Sequence, residues 1–156
     1  MMSDPAARPA TLLPPPFIYA VVLFAAYGLN TYWPWPVDLG RPGQLVAWVL
    51  IALGLVGFTW ALIAIWGHQT TVNPYKAAST LVTGGPFHYS RNPIYVSDWL
   101  VYAGVTLLLK TLWPLVFVPL VWALMRYFVI AYEEAHLQAK FGDAYGEYTA
   151  RVRRWL

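Results

Sequence analysis

The sequence TGGPFHYSRNPIY, residues 83–95, is a polar interval in a mostly apolar chain, and the rest of the chain is arranged around it. Gly84 and Gly85 permit positive φ angles or a close approach of the backbone to a ligand. Pro86 and Pro93 fix φ on either side of a turn. The polar side chains of the same segment are His88, Arg91, Asn92 and Tyr95. The segment therefore predicts a tight turn rich in hydrogen-bond donors, and a plain loop between two membrane spans is the alternative.

The composition indicates an integral membrane protein. Of the 156 residues, 59% are hydrophobic and only 11% are charged, which is too little charge for the surface of a soluble domain. Nine Trp and eleven Tyr suit a protein that crosses two membrane interfaces, because amphipathic rings prefer the depth of the headgroups.

Several classes of site are excluded or disfavoured. The absence of Cys excludes disulfides, thiolate metal sites and Cys nucleophiles. His68, His88 and His136 follow no metal-ligand spacing, so we expect no metal. The net charge of +3 is not gathered into a long basic stripe, which favours contact with anionic membrane lipid and argues against nucleic acid.

Long apolar segments predict an all-α fold, a polytopic transmembrane helical bundle of about four spans in one domain, 1–156. A helix rises 1.5 Å per residue, so about 20 apolar residues cross a hydrocarbon core of about 30 Å. The predicted spans are 16–33, 44–67, 94–109 and 112–132. Because only Lys110 and Thr111 separate the last two, we expect them to form a C-terminal helical hairpin, with Lys110 reaching the far interface.

The segments outside the spans are polar. Residues 1–13 form a short tail, and the loop at 68–93 is long enough to favour a functional role over a plain connection. Beyond the last span we expect the helix to continue to Gly142, which ends it.

A short amphipathic helix is predicted after Gly142. Asp143 is its expected cap, and Tyr145, Tyr148 and Val152 recur at spacings of three and four on one face. The basic and aromatic residues that follow are expected to lie on the membrane surface. These residues are Arg151, Arg153, Arg154 and Trp155.

The basic residues orient the predicted bundle. Seven of them fall on one side, namely Arg8, Lys76, Arg91, Lys140, Arg151, Arg153 and Arg154. Arg41 and Lys110 fall on the other side, and Arg126 lies within a span. By the positive-inside rule, the termini, the long loop and the polar end of the last span face the cytoplasm.

Ionisable residues lie where a bilayer disfavours them, at Asp98, at Arg126 and at the pair Glu133 and Glu134. Such residues usually face a bundle interior. An ion pair between Asp98 and Arg126 that locks the hairpin is one interpretation. The other is a cytoplasm-facing pocket with Arg91 and Tyr95 at its mouth. The two glutamates alone are equally compatible with a solvated helix end.

The chain resembles the isoprenylcysteine carboxyl methyltransferase family, integral membrane enzymes related to phospholipid N-methyltransferases. The resemblance extends from about Thr70 to the last residue. Its first motifs are Leu81-Val82-Thr83, Gly85-Pro86-Phe87 and Arg91-Asn92-Pro93 with Tyr95. Its later motifs are Glu133-Glu134, Leu137, Phe141-Gly142, Tyr145, Tyr148 and Val152-Arg153.

This resemblance implies an S-adenosylmethionine site on the cytosolic side, built from residues 79–95 and 126–154. The cofactor-binding residues that it implies are Leu81, Val82, Gly85, Pro86, His88, Asn92, Tyr95, Glu133 and Glu134. Tyr95 with Glu133 or Glu134 would bind the amino-acid end of the cofactor.

The resemblance also implies a lipophilic acceptor that enters from the bilayer. Arg91 would orient the acceptor. The pocket interpretation adds Asp98 and Arg126 as further substrate residues. A carboxylate acceptor needs only a cation such as Arg91, whereas an amine or thiol acceptor needs a base, for which Glu134 or a Tyr would have to serve. Two other functions stay open, an NADPH-dependent membrane enzyme similar to the sterol reductases and a non-catalytic membrane module.

Overall fold

Residues 14–67 and 80–156 are described by the computed structural model, and their regular elements are all helical. In chain order they are α1 (Pro15–Tyr32), α2 (Gly40–Gly67), a 3-10 turn (Gly85–His88), α3 (Pro93–Leu109), α4 (Trp113–Val116), α5 (Val118–Leu124), a π-helical segment (Met125–Ile130) and α6 (Ala131–Arg151). The all-α fold class is confirmed over these residues. The predicted tail at 1–13 and the first part of the polar loop, with His68 and Lys76, lie outside them.

Three predicted spans coincide with single helices, and the fourth does not. The segments 16–33, 44–67 and 94–109 correspond to α1, α2 and α3. The segment 112–132 is instead divided into α4, α5 and the π-helical segment. Proline explains the division, because Pro114 and Pro119 lack an N–H donor and each lies in the first turn of a new helix.

Helix α2 carries the strongest membrane signal. Among the helices of the described ranges, it alone is both long and apolar enough to cross a bilayer, with a mean hydropathy of 2.3. Only 17% of its most apolar window is buried within the protein, so its apolar side chains face outward. Helix α3 is apolar but shorter. The number of spans stays a prediction.

Small residues bring α2 and α3 into close contact. A Cβ atom added to Gly104 of α3 would lie 2.6 Å from the carbonyl oxygen of Ala47, and one added to Gly54 of α2 would lie 2.8 Å from that of Ser97. Glycine at these positions therefore allows the two backbones to approach each other. Helix α1 packs on the other side, where Ile18, Tyr19 and Val22 join the core with Tyr102 and Val121.

One end of the bundle is closed by two short connections, which we call the seam, residues 35–38 and 110–113. Val37 N–H donates to the carbonyl of Lys110 at 2.9 Å, and Leu112 N–H donates to that of Trp35 at 3.0 Å. The Lys110 ammonium lies 2.9 Å from the Asp38 carboxylate. Lys110 adopts φ 53 at the end of α3 and so turns the chain.

Helix α6 bends at Gly142, where φ is 50 and ψ is −122. Beyond the bend, Tyr145, Tyr148 and Val152 are buried together against Leu81 and Leu137. The opposite end of the bundle is thus built from the turn that precedes α3 and from both halves of α6.

Candidate functional site

A cleft opens at the end of the bundle remote from the seam. We call it the cleft. Its walls combine apolar side chains with two glutamates and one arginine. The lining residues are Ile65, Thr80, Leu81, Val82, Phe87, Arg91, Asn92, Glu133, Glu134, Leu137, Tyr145 and Tyr148.

The 3-10 turn is fixed against α6 at the edge of the cleft. Gly85 has φ 60, a conformation that favours glycine, whereas Gly84 is extended. The Tyr148 hydroxyl donates to the carbonyl of Phe87 at 2.7 Å. Burial raises the pKa of Tyr148 to about 12, so its hydroxyl stays protonated and keeps this hydrogen bond at neutral pH.

Glu134 is held by two arginines. Arg154 donates from Nε to Oε1 at 2.8 Å and from Nη2 to Oε2 at 2.9 Å, which is a bidentate pair. Arg91 Nη1 lies 3.5 Å from Oε1 of the same carboxylate. The hydrogen bond to Glu134 raises the pKa of Arg154 further. Both oxygens of Glu134 therefore have cationic partners.

Glu133 has a different environment. The Tyr95 hydroxyl donates to its Oε2 at 2.7 Å, and no cation pairs with it among the described residues. Burial raises the pKa of Glu133, the Tyr95 hydrogen bond opposes that shift, and the neighbouring Glu134 adds to it. The cleft therefore contains a carboxylate that a cationic ligand would stabilise.

Arg91 also has an unused donor. Its Nε is buried and has no hydrogen-bond partner in residues 14–67 and 80–156. Buried donors usually have partners, so this Nε is a hydrogen-bond donor that the described residues leave unsatisfied. The cleft thus contains Arg91, whose Nε has no acceptor, and Glu133, whose carboxylate has no cationic partner in the described residues.

The structure brings most of the predicted cofactor residues together. Leu81, Val82, Asn92, Glu133 and Glu134 line the cleft, and Tyr95 reaches it through Glu133. Arg91, which was predicted to orient the acceptor, lines it as well. Other predicted residues are elsewhere. Gly85 lies against Ala64 and Trp60 of α2, Pro86 lines a second cavity, and His88 is exposed.

The predicted ion pair between Asp98 and Arg126 is wrong. The buried Oδ2 of Asp98 has no partner in the described ranges, and Arg126 instead lies 5.9 Å from the ring centre of Tyr127. The π-helical segment explains this, because Met125 and Val129 take the core positions and Arg126 is turned away from them. Neither Asp98 nor Arg126 is among the residues that line the cleft.

Sequence reasoning missed Arg154 as a site residue. The basic tail was expected on the membrane surface, which stays a prediction, and the structure adds that the Arg154 side chain binds Glu134. Nothing in the local sequence marks this contact, because 20 residues separate the partners and the bend at Gly142 brings them together.

A second cavity, which we call the groove, lies between α2 and α3. It is open to the surroundings, and its surface is mainly apolar. Its lining residues are Leu53, Gly57, Trp60, Pro86, Tyr89, Ser90, Pro93, Val96, Ser97, Leu100 and Leu156. The stretch from Pro86 to Pro93 contributes residues to both cavities.

The two buried nitrogens of His136 have no hydrogen-bond partner in the described part of the chain. In the same ranges, no group of three or more His, Asp or Glu side chains is placed to hold a metal ion.

Comparison with known proteins identifies the family of this chain. Residues 43–144 match the model of a family described as phospholipid methyltransferase, which is more than half of the chain. The chain belongs to the phospholipid methyltransferase family. The expected relationship to phospholipid N-methyltransferases is confirmed, and membership indicates a membrane methyltransferase. The matched region contains Arg91, Glu133 and Glu134 but ends before Arg154.

Two relatives were found among curated proteins. The cobalt-zinc-cadmium resistance protein CzcN of Cupriavidus metallidurans is 29% identical over 138 residues, covering 87% of this chain and 56% of that protein. An uncharacterized protein of Haemophilus influenzae is 59% identical over 29 residues, covering 19% of this chain and 46% of that protein. The chain therefore spans about half the length of the relatives that it matches. No solved structure matches it.

Proposed function

We propose that this phospholipid methyltransferase family member is a multi-pass membrane enzyme that transfers a methyl group from S-adenosylmethionine to a lipophilic acceptor, with its cleft facing the cytoplasm. One observation carries the proposal. The cleft presents a carboxylate without a cationic partner, on Glu133, and a buried donor without an acceptor, on Arg91 Nε.

These groups fit the methyl donor. Its amino-acid end carries an ammonium and a carboxylate, and its sulfur is also cationic. Glu133 would bind a cationic group, and Arg91 Nε would donate to the carboxylate. The apolar walls formed by Leu81, Val82 and Leu137 suit a flat heterocycle.

S-adenosylmethionine supplies a methyl group on a positively charged sulfur, which passes to a nucleophile as the sulfonium becomes a neutral thioether. The protein's task is then to position the reactants and to exclude water, since no protein nucleophile is needed. Buried residues around the cleft serve the second purpose, because Val82, Asn92, Tyr145 and Tyr148 leave little surface to solvent.

The geometry suggests different roles for the two glutamates. Both oxygens of Glu134 are engaged by guanidinium groups, so its carboxylate is occupied by contacts within the protein. We therefore assign Glu134 to positioning Arg91, in place of the role as a base that the sequence suggested. Glu133, which has no cationic partner in the described ranges, is the assigned cofactor ligand.

The groove supports a lipophilic acceptor. It is apolar and borders the segment 86–93, which contains Arg91. An acceptor chain lying in the groove would therefore bring a polar head towards the cleft. Arg91 would steady a carboxylate head during O-methylation. A lipid amine is the other acceptor class that we propose, in keeping with the family's description.

An NADPH-dependent activity has less support. Nicotinamide dinucleotides carry several phosphate charges, whereas the cleft offers a single unsatisfied arginine donor, Arg91 Nε, beside the two carboxylates of Glu133 and Glu134. A non-catalytic membrane module would leave the unpaired groups of Glu133 and Arg91 without a purpose.

Titration calorimetry on the purified protein in detergent separates these functions. We expect S-adenosylhomocysteine to release heat and to saturate at one site, and NADPH to give none. Binding of NADPH alone would support the reductase, and binding of neither would favour the non-catalytic module. Incubation of labelled methyl donor with total lipid extract would then identify the acceptor class.

A further inference from the structure

We propose that Arg154 is a positioning residue for the cleft. It belongs to residues 152–156, which we call the strap, and the strap holds the turn at 90–92 and Glu134 in the arrangement that donor binding requires. The identity of the ligand in this inference rests on the proposed function, whereas the contacts of the strap do not.

The backbone of the strap binds three consecutive residues of the turn. Arg91 N–H donates to the carbonyl of Arg153 at 2.9 Å. The side-chain amide of Asn92 donates to the carbonyl of Arg154 at 2.8 Å, and the Ser90 hydroxyl donates to the same oxygen at 3.3 Å. The strap therefore sets the position of the residue that carries the unpaired donor, Arg91.

The side chain of Arg154 fixes the other partner of Arg91. Its planar guanidinium matches both oxygens of Glu134, at 2.8 and 2.9 Å, so the carboxylate cannot rotate without breaking a charge-assisted hydrogen bond. Arg91 is farther from Glu134, at 3.5 Å. Arg91 contacts Glu134 through Nη1, and its Nε has no partner in the described residues.

The strap is anchored on both sides of this contact. Val152 is buried with Tyr145 and Tyr148, and Trp155 packs against the core of the bundle. Leu156 lines the groove. One short segment thus touches the cleft, the core and the groove, and it lies beyond the matched region, which ends at residue 144.

Loss of the Arg154 guanidinium should redirect Arg91. Glu134 would remain partly buried beside Glu133 with one cation in reach, and Arg91 would move closer to it. A buried charge that loses its partner is destabilising, so a nearby opposite charge is drawn towards it. The ligand would then lose the donor on Arg91, although every residue that touches the ligand is unchanged.

Three variants test this in the full chain. Arg154→Gln removes the charge, and Arg154→Lys keeps the charge but not the bidentate fork. Arg151→Gln is the matched control, because Arg151 is exposed and donates only within its own helix, to the carbonyl of Glu147. We expect S-adenosylhomocysteine affinity to fall about tenfold in Arg154→Gln and less in Arg154→Lys, and to be unchanged in Arg151→Gln.

A cofactor-free measurement accompanies the titrations. Hydrogen exchange at the Arg91 amide reports its bond to the strap, so Arg154→Gln should accelerate that exchange while Arg151→Gln should not. If Arg154 acts through Glu134, the double variant Glu134→Gln, Arg154→Gln should bind S-adenosylhomocysteine no more weakly than Glu134→Gln alone.

Each outcome is decisive. Unchanged exchange at the Arg91 amide in Arg154→Gln overturns the inference. Unchanged affinity of Arg154→Gln for S-adenosylhomocysteine also overturns it, provided that the parent binds this ligand. A lower melting temperature with unchanged affinity would show a merely structural role. If the parent itself does not bind, the proposed function fails, and the exchange result alone then decides whether the strap positions the turn.

Discussion

The seam and the cleft are both polar assemblies at the ends of an apolar helical bundle, yet they use their polar groups differently. At the seam, Asp38 pairs with Lys110, and backbone donors on Val37 and Leu112 bind carbonyls across the junction. At the cleft, Arg91 Nε is buried without a partner in the described residues and Glu133 has no cation.

The difference separates a structural polar network from a binding site. Polar groups that only hold a fold together pair with each other, because an unpaired buried group costs free energy. Groups that bind a ligand stay unpaired in the free protein, which therefore carries part of that free-energy cost. Substitutions of polar residues in the cleft should therefore change ligand affinity, whereas similar substitutions at the seam should not.

The largest effect on binding is expected for Glu133→Gln. Loss of the carboxylate removes a charge-assisted contact with the donor, which should weaken S-adenosylhomocysteine binding by tenfold to a hundredfold, or about 1.5–3 kcal/mol. Titration calorimetry measures this, with Asp38→Asn as the matched control at the seam. Equal affinity in parent and Glu133→Gln would remove Glu133 from the site.

Both ends depend on the contact between α2 and α3, so Gly104→Ala is expected to give the largest loss of stability. The new Cβ would lie 2.6 Å from the Ala47 carbonyl oxygen, and the helices must separate at a cost of about 1–3 kcal/mol. Gly146→Ala is the same substitution in α6, where nothing lies within 4 Å. Thermal unfolding should show a loss only at Gly104, and equal melting temperatures would contradict the close packing.

The two ends should also respond oppositely to pH. Burial raises the pKa of Glu133, so the folded protein holds that proton to a higher pH than the unfolded chain does. Its contribution to stability is present at low pH and is lost as pH rises through the raised pKa, while affinity for a cationic donor rises over the same range. The hydrogen bond from Lys110 lowers the pKa of Asp38, so that contribution is lost as pH falls.

Parallel pH series of melting temperature and S-adenosylhomocysteine affinity test this pattern. Glu133→Gln should flatten both curves above the ordinary glutamate range, and Asp38→Asn should change only the acidic side of the stability curve. A parent whose affinity does not depend on pH there would contradict an ionised Glu133 as the donor's ligand.

The smallest effect is expected for Lys110→Gln. The ion pair with Asp38 is exposed, and such pairs contribute little because water and salt screen them. We expect an almost unchanged melting temperature and unchanged S-adenosylhomocysteine affinity. A clear loss of affinity would show that the seam and the cleft are coupled through the bundle.

Much of the fold follows from composition and periodicity. Apolar segments separated by Gly and Pro define α1, α2 and α3, and a chain with so few charges forms helices around an apolar core. Pro114 and Pro119 divide the fourth apolar segment into separate helices. Both prolines are visible in the sequence, but a hydropathy profile alone does not take account of them.

The site was less accessible to sequence reasoning. The family resemblance favoured Arg91, Tyr95 and the glutamate pair. It did not distinguish Glu133 from Glu134, since that distinction depends on Arg154. Contacts across a bend and a π-helical segment change which side chains meet, and neither feature has a periodic signal.

Hydrogen–deuterium exchange with and without S-adenosylhomocysteine tests the central claim most directly. If the cleft is the donor site, added ligand should slow exchange at the backbone amides of Val82, Arg91 and Asn92 and of the first turns of α6. The amides of Val37 and Leu112 at the seam should exchange at unchanged rates. Protection at the seam, or equal rates throughout the chain at saturating ligand, would contradict the account.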